Sequence, residues 1–285
     1  MTIRPLPVPT RIFGGEGLIS YASRHAARNS TPIEEIEHVL YDAGAIPKPS
    51  HRRTPERLQA WRSLGALHES AFTTPAVIDG ADVIDRALCL RCTQGSGGTG
   101  RLPRIGWVCA RHRRWLGTPQ HDIRALPELI AAERHYRRAL APRGVLVGSP
   151  LMLWARECAT TILSPSTTLS WQSTIRERSR RGSTSDPGLL AYPETVRIAR
   201  LVTDPAFNTR MLQPGLRPRD RHTLSVKATT GFFPNASDDE SWRAAHRITA
   251  MFNTIAGEIQ RNPSRTGGTT PSSTPLAQAW TIWGR

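Results

Sequence analysis

The sequence predicts a mainly α-helical protein with a small metal-binding element embedded in its first half. Three observations carry this: apolar residues recur at three- and four-residue spacing along much of the chain, strand-like alternation is scarce, and two short Cys/His pairs stand sixteen residues apart. At 285 residues the chain can bury one large core or two modest ones. The expected divisions are a helical, helix-turn-helix-like N-terminal region over 1–143 with a zinc element at 89–112, a helical domain over 144–261, and a flexible tail over 262–285. That tail is rich in Ser, Thr, Gly and Pro from 262 to 276.

Residues 1–13 are extended, because Pro5, Pro7 and Pro9 exclude a helix. A first helix runs from about Glu16 to Arg28, with Leu18, Tyr21, Ala22 and His25 on one side. Thr31-Pro32-Ile33-Glu34 then reads as an N-cap, a proline at the first helical position and a capping-box glutamate, with Gly44 as the stop. Ile33, Ile36, Val39 and Leu40 make the apolar stripe of this second helix. The pair has the outline of a helix-turn-helix. Glu34, Glu35, Glu37 and Asp42, however, give its second member a charge that phosphates repel, so a helical hairpin packing its own core is the better reading.

A third helix starts at Thr54-Pro55-Glu56, with Leu58, Trp61 and Leu64 inward. Beyond the cysteines, Leu126, Leu129, Ile130, Tyr136 and Leu140 trace a helix whose outer face carries Arg134, Arg137 and Arg138, and Arg143-Gly144 reads as a break. Further helical patterns cover about 150–163, 168–181, 194–203 and 240–260, the last with Trp242, Ile248, Phe252, Ile255 and Ile259. Residues 181–188 are turn chemistry.

Charge narrows the partners. The net charge is +15, and all but two of the 38 basic residues, Lys48 and Lys227, are arginines, whose planar fork suits phosphate. This implies a polyanionic partner, nucleic acid before membrane surface. No apolar stretch is long enough for a signal peptide or a membrane span, so the expected location is the cytoplasm. Three of the four cysteines fall in one window, which in a reducing compartment argues for metal or redox chemistry over a disulfide framework.

Cys89-x-x-Cys92 and Cys109-x-x-His112 have zinc-ligand spacing. A two-residue gap lets one tight turn offer two donors to one ion, and a second turn completes the tetrahedron. Three thiolates and one imidazole leave no open position, so the ion is structural Zn2+ and not catalytic. Between the pairs, Gly95-Ser96-Gly97-Gly98-Thr99-Gly100 spells a dinucleotide fingerprint. No apolar strand precedes it, and Pro103 denies it a helix, so the glycines read as a pliable finger tip. No acid stands between 86 and 121, where Arg91, Arg101, Arg104, Arg111, Arg113 and Arg114 interleave with Trp107 and Trp115. Arg104, Arg111, Arg113 and Arg114 are candidate phosphate contacts, and so are Arg176, Arg178, Arg180 and Arg181, for which a solvated helix end is the competing reading.

The order of these features resembles the TniQ/TnsD family of transposition targeting proteins over roughly residues 4–118. Pro5-Leu6-Pro7, Glu16-Gly17-Leu18-Ile19-Ser20-Tyr21, Arg24 and Asn29 resemble the family's opening. Cys89, Cys92, Cys109, His112 and Leu116 resemble its zinc element. The chain departs at Gly17, Tyr21, Leu90, Ala110 and Arg113, where members commonly have Ser or Thr, Trp, Pro, Pro and Gly. The resemblance implies a non-catalytic adaptor that helps choose an insertion site on DNA, with a transposition ATPase and a guide-RNA complex as further partners. Dimerisation stays open.

The residues agree independently on the non-catalytic part. There is no G-K-[ST] phosphate loop and no nucleophile elbow. Asp238-Asp239-Glu240, the one tight acidic cluster, suits a helix start better than a pair of metal ions. Two other readings fit the same residues: a stand-alone zinc-containing transcription regulator, and a structural adaptor whose basic faces meet acidic protein or RNA.

Overall fold

An extended arm, residues 3–13, is zipped onto the first helix, α1 (Leu18–Arg28), by side chains one turn apart. Asn29 closes on both backbone groups of Val8, accepting from its N–H at 2.8 Å and donating to its carbonyl at 3.0 Å. His25 meets the Thr10 hydroxyl at 2.9 Å, Tyr21 donates to the Thr10 carbonyl, and Arg24 donates to the Arg11 carbonyl. The prolines that forbid a helix in the arm thus leave backbone groups that this helix edge satisfies. The structure, a computed structural model, describes residues 3–49, 53–73, 83–161, 169–232 and 238–261, with side chains left aside at 161, 169–173 and 238–241. The expected tail over 262–285 lies outside the described residues. The protein is mainly α, and its chain divides into two units, 1–104 with 109–120, and 105–108 with 121–285.

In the first unit, α1 packs with α2 (Ile33–Asp42) and α3 (Pro55–Leu64) around Leu18, Tyr21, Ala22, Ile36, Leu40 and Trp61. α3 starts as expected, with the Thr54 hydroxyl capping the Arg57 N–H. α2 differs from expectation in two ways. Thr31 makes no cap bond to the helix: Pro32 occupies the N-cap position, and the Thr31 hydroxyl donates to the Asn29 carbonyl. Its stripe is also rotated, leaving Val39 62% exposed while Glu37 is buried. Glu37 is tolerated inside because Arg57 forks onto both its oxygens at 2.7 and 2.9 Å and the Trp61 indole donates at 2.6 Å. The first unit also contains an antiparallel pair, β1 (Val83–Ala87) and β2 (Thr99–Pro103), with Asp85 opposite Arg101. Three two-residue strands follow along the chain: β3 (Val108–Cys109), β4 (Arg114–Trp115) and β5 (His121–Asp122).

The second unit is helical. α4 (Pro127–His135) runs on through a π-helical turn at Tyr136–Leu140 and a 3₁₀ turn at Ala141–Arg143, and Gly144 ends it in the left-handed region. Arg143-Gly144 therefore terminates a helix inside this unit. Next come α5 (Pro150–Thr161), α6 (Leu169–Gly182), α7 (Pro187–Leu190), α8 (Tyr192–Val202), α9 (Pro205–Met211), α10 (Pro218–Thr229) and α11 (Asp238–Arg261). α4 and α5 pack on α8, and α10 on α11. Ile248, Phe252 and Ile255 are buried on α11, whereas Trp242 is half exposed. The acidic run at 238–240 forms the first turn of α11. Among the described residues no helix is long and apolar enough to cross a membrane.

Candidate metal centre

Each Cys-x-x pair is a knuckle closed by its own backbone. After Cys89, the N–H groups of Thr93 and Gly95 return to the carbonyls of Cys89 and Leu90, and Gln94 and Gly95 take positive φ. After Cys109, the Arg113 N–H returns to the Cys109 carbonyl at 2.8 Å, with Arg113 itself at φ 49°. Two such turns present Cys89, Cys92, Cys109 and His112 to one point, their ligand atoms all within 4.8 Å of one another.

The edges of that figure test its fit to a metal. Cys92 Sγ lies 3.8 Å from Cys109 Sγ. His112 Nδ1 lies 3.6, 3.2 and 3.9 Å from the sulfurs of Cys89, Cys92 and Cys109. Zinc–sulfur and zinc–nitrogen bonds of ordinary length on a tetrahedron give edges of about 3.8 Å between sulfurs and about 3.5 Å from sulfur to nitrogen. The donors fit one tetrahedral ion, held through His112 Nδ1. Burial first, and then the neighbouring Cys109 and Cys89, push the Cys92 thiol up to about 12. A bound cation is what lets three sulfurs at this spacing ionise together.

Gln120 braces the first knuckle, a role with no local sequence signal. Its side-chain oxygen accepts from the Leu90 N–H at 2.9 Å and its amide donates to the Leu88 carbonyl at 2.7 Å, bracketing Cys89 on both sides. The glycine run is a correction to the pliable tip. Gly95 and Gly97 have open space around them, but Gly98 and Gly100 pack tightly. A Cβ on Gly98 would press on the Ser20 hydroxyl, and one on Gly100 would run into the Gly15 carbonyl and Leu88. Thr99 lies between them, its carbonyl accepting from the Gly17 N–H at 2.9 Å and its N–H donating to Ser20 Oγ at 3.2 Å. Ser20 in turn donates to the buried Glu16, which Arg24 clamps with two nitrogens at 2.7 and 2.8 Å. The glycines bring the strand after the first knuckle into backbone contact with the start of α1.

The candidate arginines separate. Arg111 and Arg113 are exposed on the second knuckle, as Arg91 is on the first, and none of the three has an ion-pair partner among the described residues. Arg114 is half-buried and donates to the Gln120 carbonyl, and Arg104 is half-buried and engaged within the protein. Trp115 is buried and Trp107 half-buried, its backbone N–H held by Glu133.

In the second unit, Arg178 has to be withdrawn as a phosphate contact. It is 3% exposed, paired through both terminal nitrogens with the fully buried Glu194 at 2.8 and 3.0 Å, and close to Glu128. Arg180 is exposed against Glu177, Arg181 is bound to Glu128 and the Ala125 carbonyl, and Arg176 is exposed but engaged. No protein-family model matches this chain, and no curated protein or solved structure matches it either.

Proposed function

We propose that the chain is a non-catalytic, DNA-associated adaptor for transposon target-site selection, whose zinc-bound knuckles hold arginines against the phosphate backbone. The observation that carries this reading is the convergence of Cys89, Cys92, Cys109 and His112 on turns that also bear the exposed Arg91, Arg111 and Arg113. Thiolate-rich tetrahedral donors favour zinc over harder cations. Zinc would lock both turns, so the backbone that carries these arginines is ordered before it meets phosphate. The TniQ/TnsD resemblance supplies the transposition context. Residues that carry it in the opening, Glu16, Arg24 and Asn29, help to bind the arm to α1. In that setting the adaptor recruits a transposition ATPase.

The test combines metal analysis, salt-titrated DNA binding and co-purification. One zinc per chain is expected in the wild type and loss of it in Cys92→Ser. Replacing Arg91, Arg111 and Arg113 with Gln should weaken DNA binding across sequences and flatten its logarithmic salt slope by about 3. A well-folded wild type without zinc overturns the metal assignment. Failure both to retain DNA near physiological salt and to co-purify with a transposition ATPase overturns the adaptor reading.

A further inference from the structure

In a chain of net charge +15, α2 presents an acidic face. Its inner side is spent on the core of the first unit, while Glu34, Glu35, His38, Val39, Tyr41 and Asp42 are all exposed. At about 3.6 residues per turn these six share one face, with Tyr41 along one edge, Val39 along the other, and the three carboxylates and His38 between them. Val39, at 62%, is the most exposed large apolar side chain among the described residues, and Tyr41 is half exposed. Glu34, Glu35 and Asp42 have no ion-pair partner among the described residues. The complement stands on the metal knuckles of the same unit. Arg91, Arg111 and Arg113 are exposed and equally without an ion-pair partner, and Leu90 beside Arg91 is an exposed apolar side chain. Within one chain these two faces form no ion pair with each other.

We infer that α2 docks the metal knuckles of a second copy of this chain, with Arg91, Arg111 and Arg113 on Glu34, Glu35 and Asp42, and Leu90 against Val39 and Tyr41. Guanidinium forks match carboxylates, and three of each are present. Exposed ion pairs alone bind weakly in water, so the strength comes from covering Val39, Tyr41 and Leu90, while the charges select and orient the partner. The two faces differ, so the contact is heterologous; a two-fold pair, in which each copy gives one face of each kind, satisfies both and closes on itself. Phosphate draws on the same arginines, so DNA competes with the second copy for the knuckles. The inference shares those arginines with the adaptor reading but needs neither DNA nor a transposition partner, and it is tested without them.

The experiment is sedimentation of the full chain, free of DNA, over a range of concentration and salt. Association at low salt that is lost at high salt is expected. A mass of two chains identifies the closed pair, and a mass that keeps growing with concentration identifies an open head-to-tail chain; either one carries the contact. Two charge-reversed variants assign it: Glu34→Arg with Glu35→Arg and Asp42→Arg, and Arg91→Glu with Arg111→Glu and Arg113→Glu. Each alone should associate about tenfold or more weakly than the wild type. An equal mixture should regain association, because each reversed face then meets its opposite, a gain that misfolding cannot produce. The inference is overturned if either variant alone associates as the wild type does, or if the mixture associates no better than the variants apart. A wild type that stays monomeric at low salt also overturns it and leaves the α2 face to a basic segment of another protein. If that monomer still binds DNA, this inference falls and the adaptor reading stands.

Discussion

Arg178 and Arg180 stand two positions apart on α6 and have opposite fates. Arg178 points into the unit, where burial pushes the Glu194 carboxyl up and Arg178 is the partner that holds it down again. Arg180 lies in water beside Glu177. Arg178→Ala would strand a buried carboxylate, so thermal denaturation should show a loss of about 3–5 kcal/mol, against about 0.5 kcal/mol or less for Arg180→Ala. A run of arginines in a basic sequence does not tell these cases apart, because the burial of Arg178 is decided by Glu194 on α8, sixteen residues away. Glu37 is the same lesson with the sign reversed. It reads as one of four surface acids on α2, but Arg57 and Trp61 on α3 give it an interior partner.

At the scale of elements, the metal centre was legible because its geometry is local. A two-residue spacing makes a knuckle wherever it occurs, and two knuckles suffice for a tetrahedron. One strained position marks the second knuckle. Arg113 holds φ 49°, which a residue with a Cβ adopts at a cost of about 1–2 kcal/mol, at the place where the resembling family commonly has Gly. Arg113→Gly should therefore raise the melting temperature of the metal-loaded protein and, under the proposed function, lower DNA affinity. Calorimetry and a binding titration on the same sample check both halves.

The helices divide by what lines their inner faces. α1, α3, α8 and α11 announce themselves by apolar residues one turn apart. α10 could not be read, because the side chains it buries are Arg221, Ser225 and Thr229, one turn apart but polar. Arg221 is satisfied inside by the Met211 carbonyl and Asn253, Ser225 by Thr249, and Thr229 by the Ser225 and Val226 carbonyls of its own helix. A stripe of that composition carries no hydrophobic signal until α11 supplies its partners.

Over the whole molecule, all four ligands belong to the first unit. Chelation should loosen residues 83–103 and 109–120 and leave α8 and α11 protected, which hydrogen exchange with mass spectrometry resolves. The raised Cys92 thiol adds to the pH dependence that thiolate ligation brings. A thiol pushed up to about 12 is protonated at neutral pH, so an incoming cation must displace its proton. Metal affinity should accordingly rise with pH and fall on acidification, with protons released on uptake.

What the sequence determined by itself is whatever rests on neighbours within a few residues: the helical class, the start of α3, the extended arm, and the donor set Cys89, Cys92, Cys109 and His112. What only the tertiary structure decided is which charges go inside and what the glycines are for. Arg178, Glu37 and Gln120 take their roles from residues 16 to 32 positions away. Gly98 is small because Ser20 of α1 lies against it, and Gly100 because the Gly15 carbonyl and Leu88 do. The physical reason is common to all of these. Spacing along the chain sets the geometry of a turn, whereas the cost of burying a charge or removing a Cβ depends on atoms that only folding brings near.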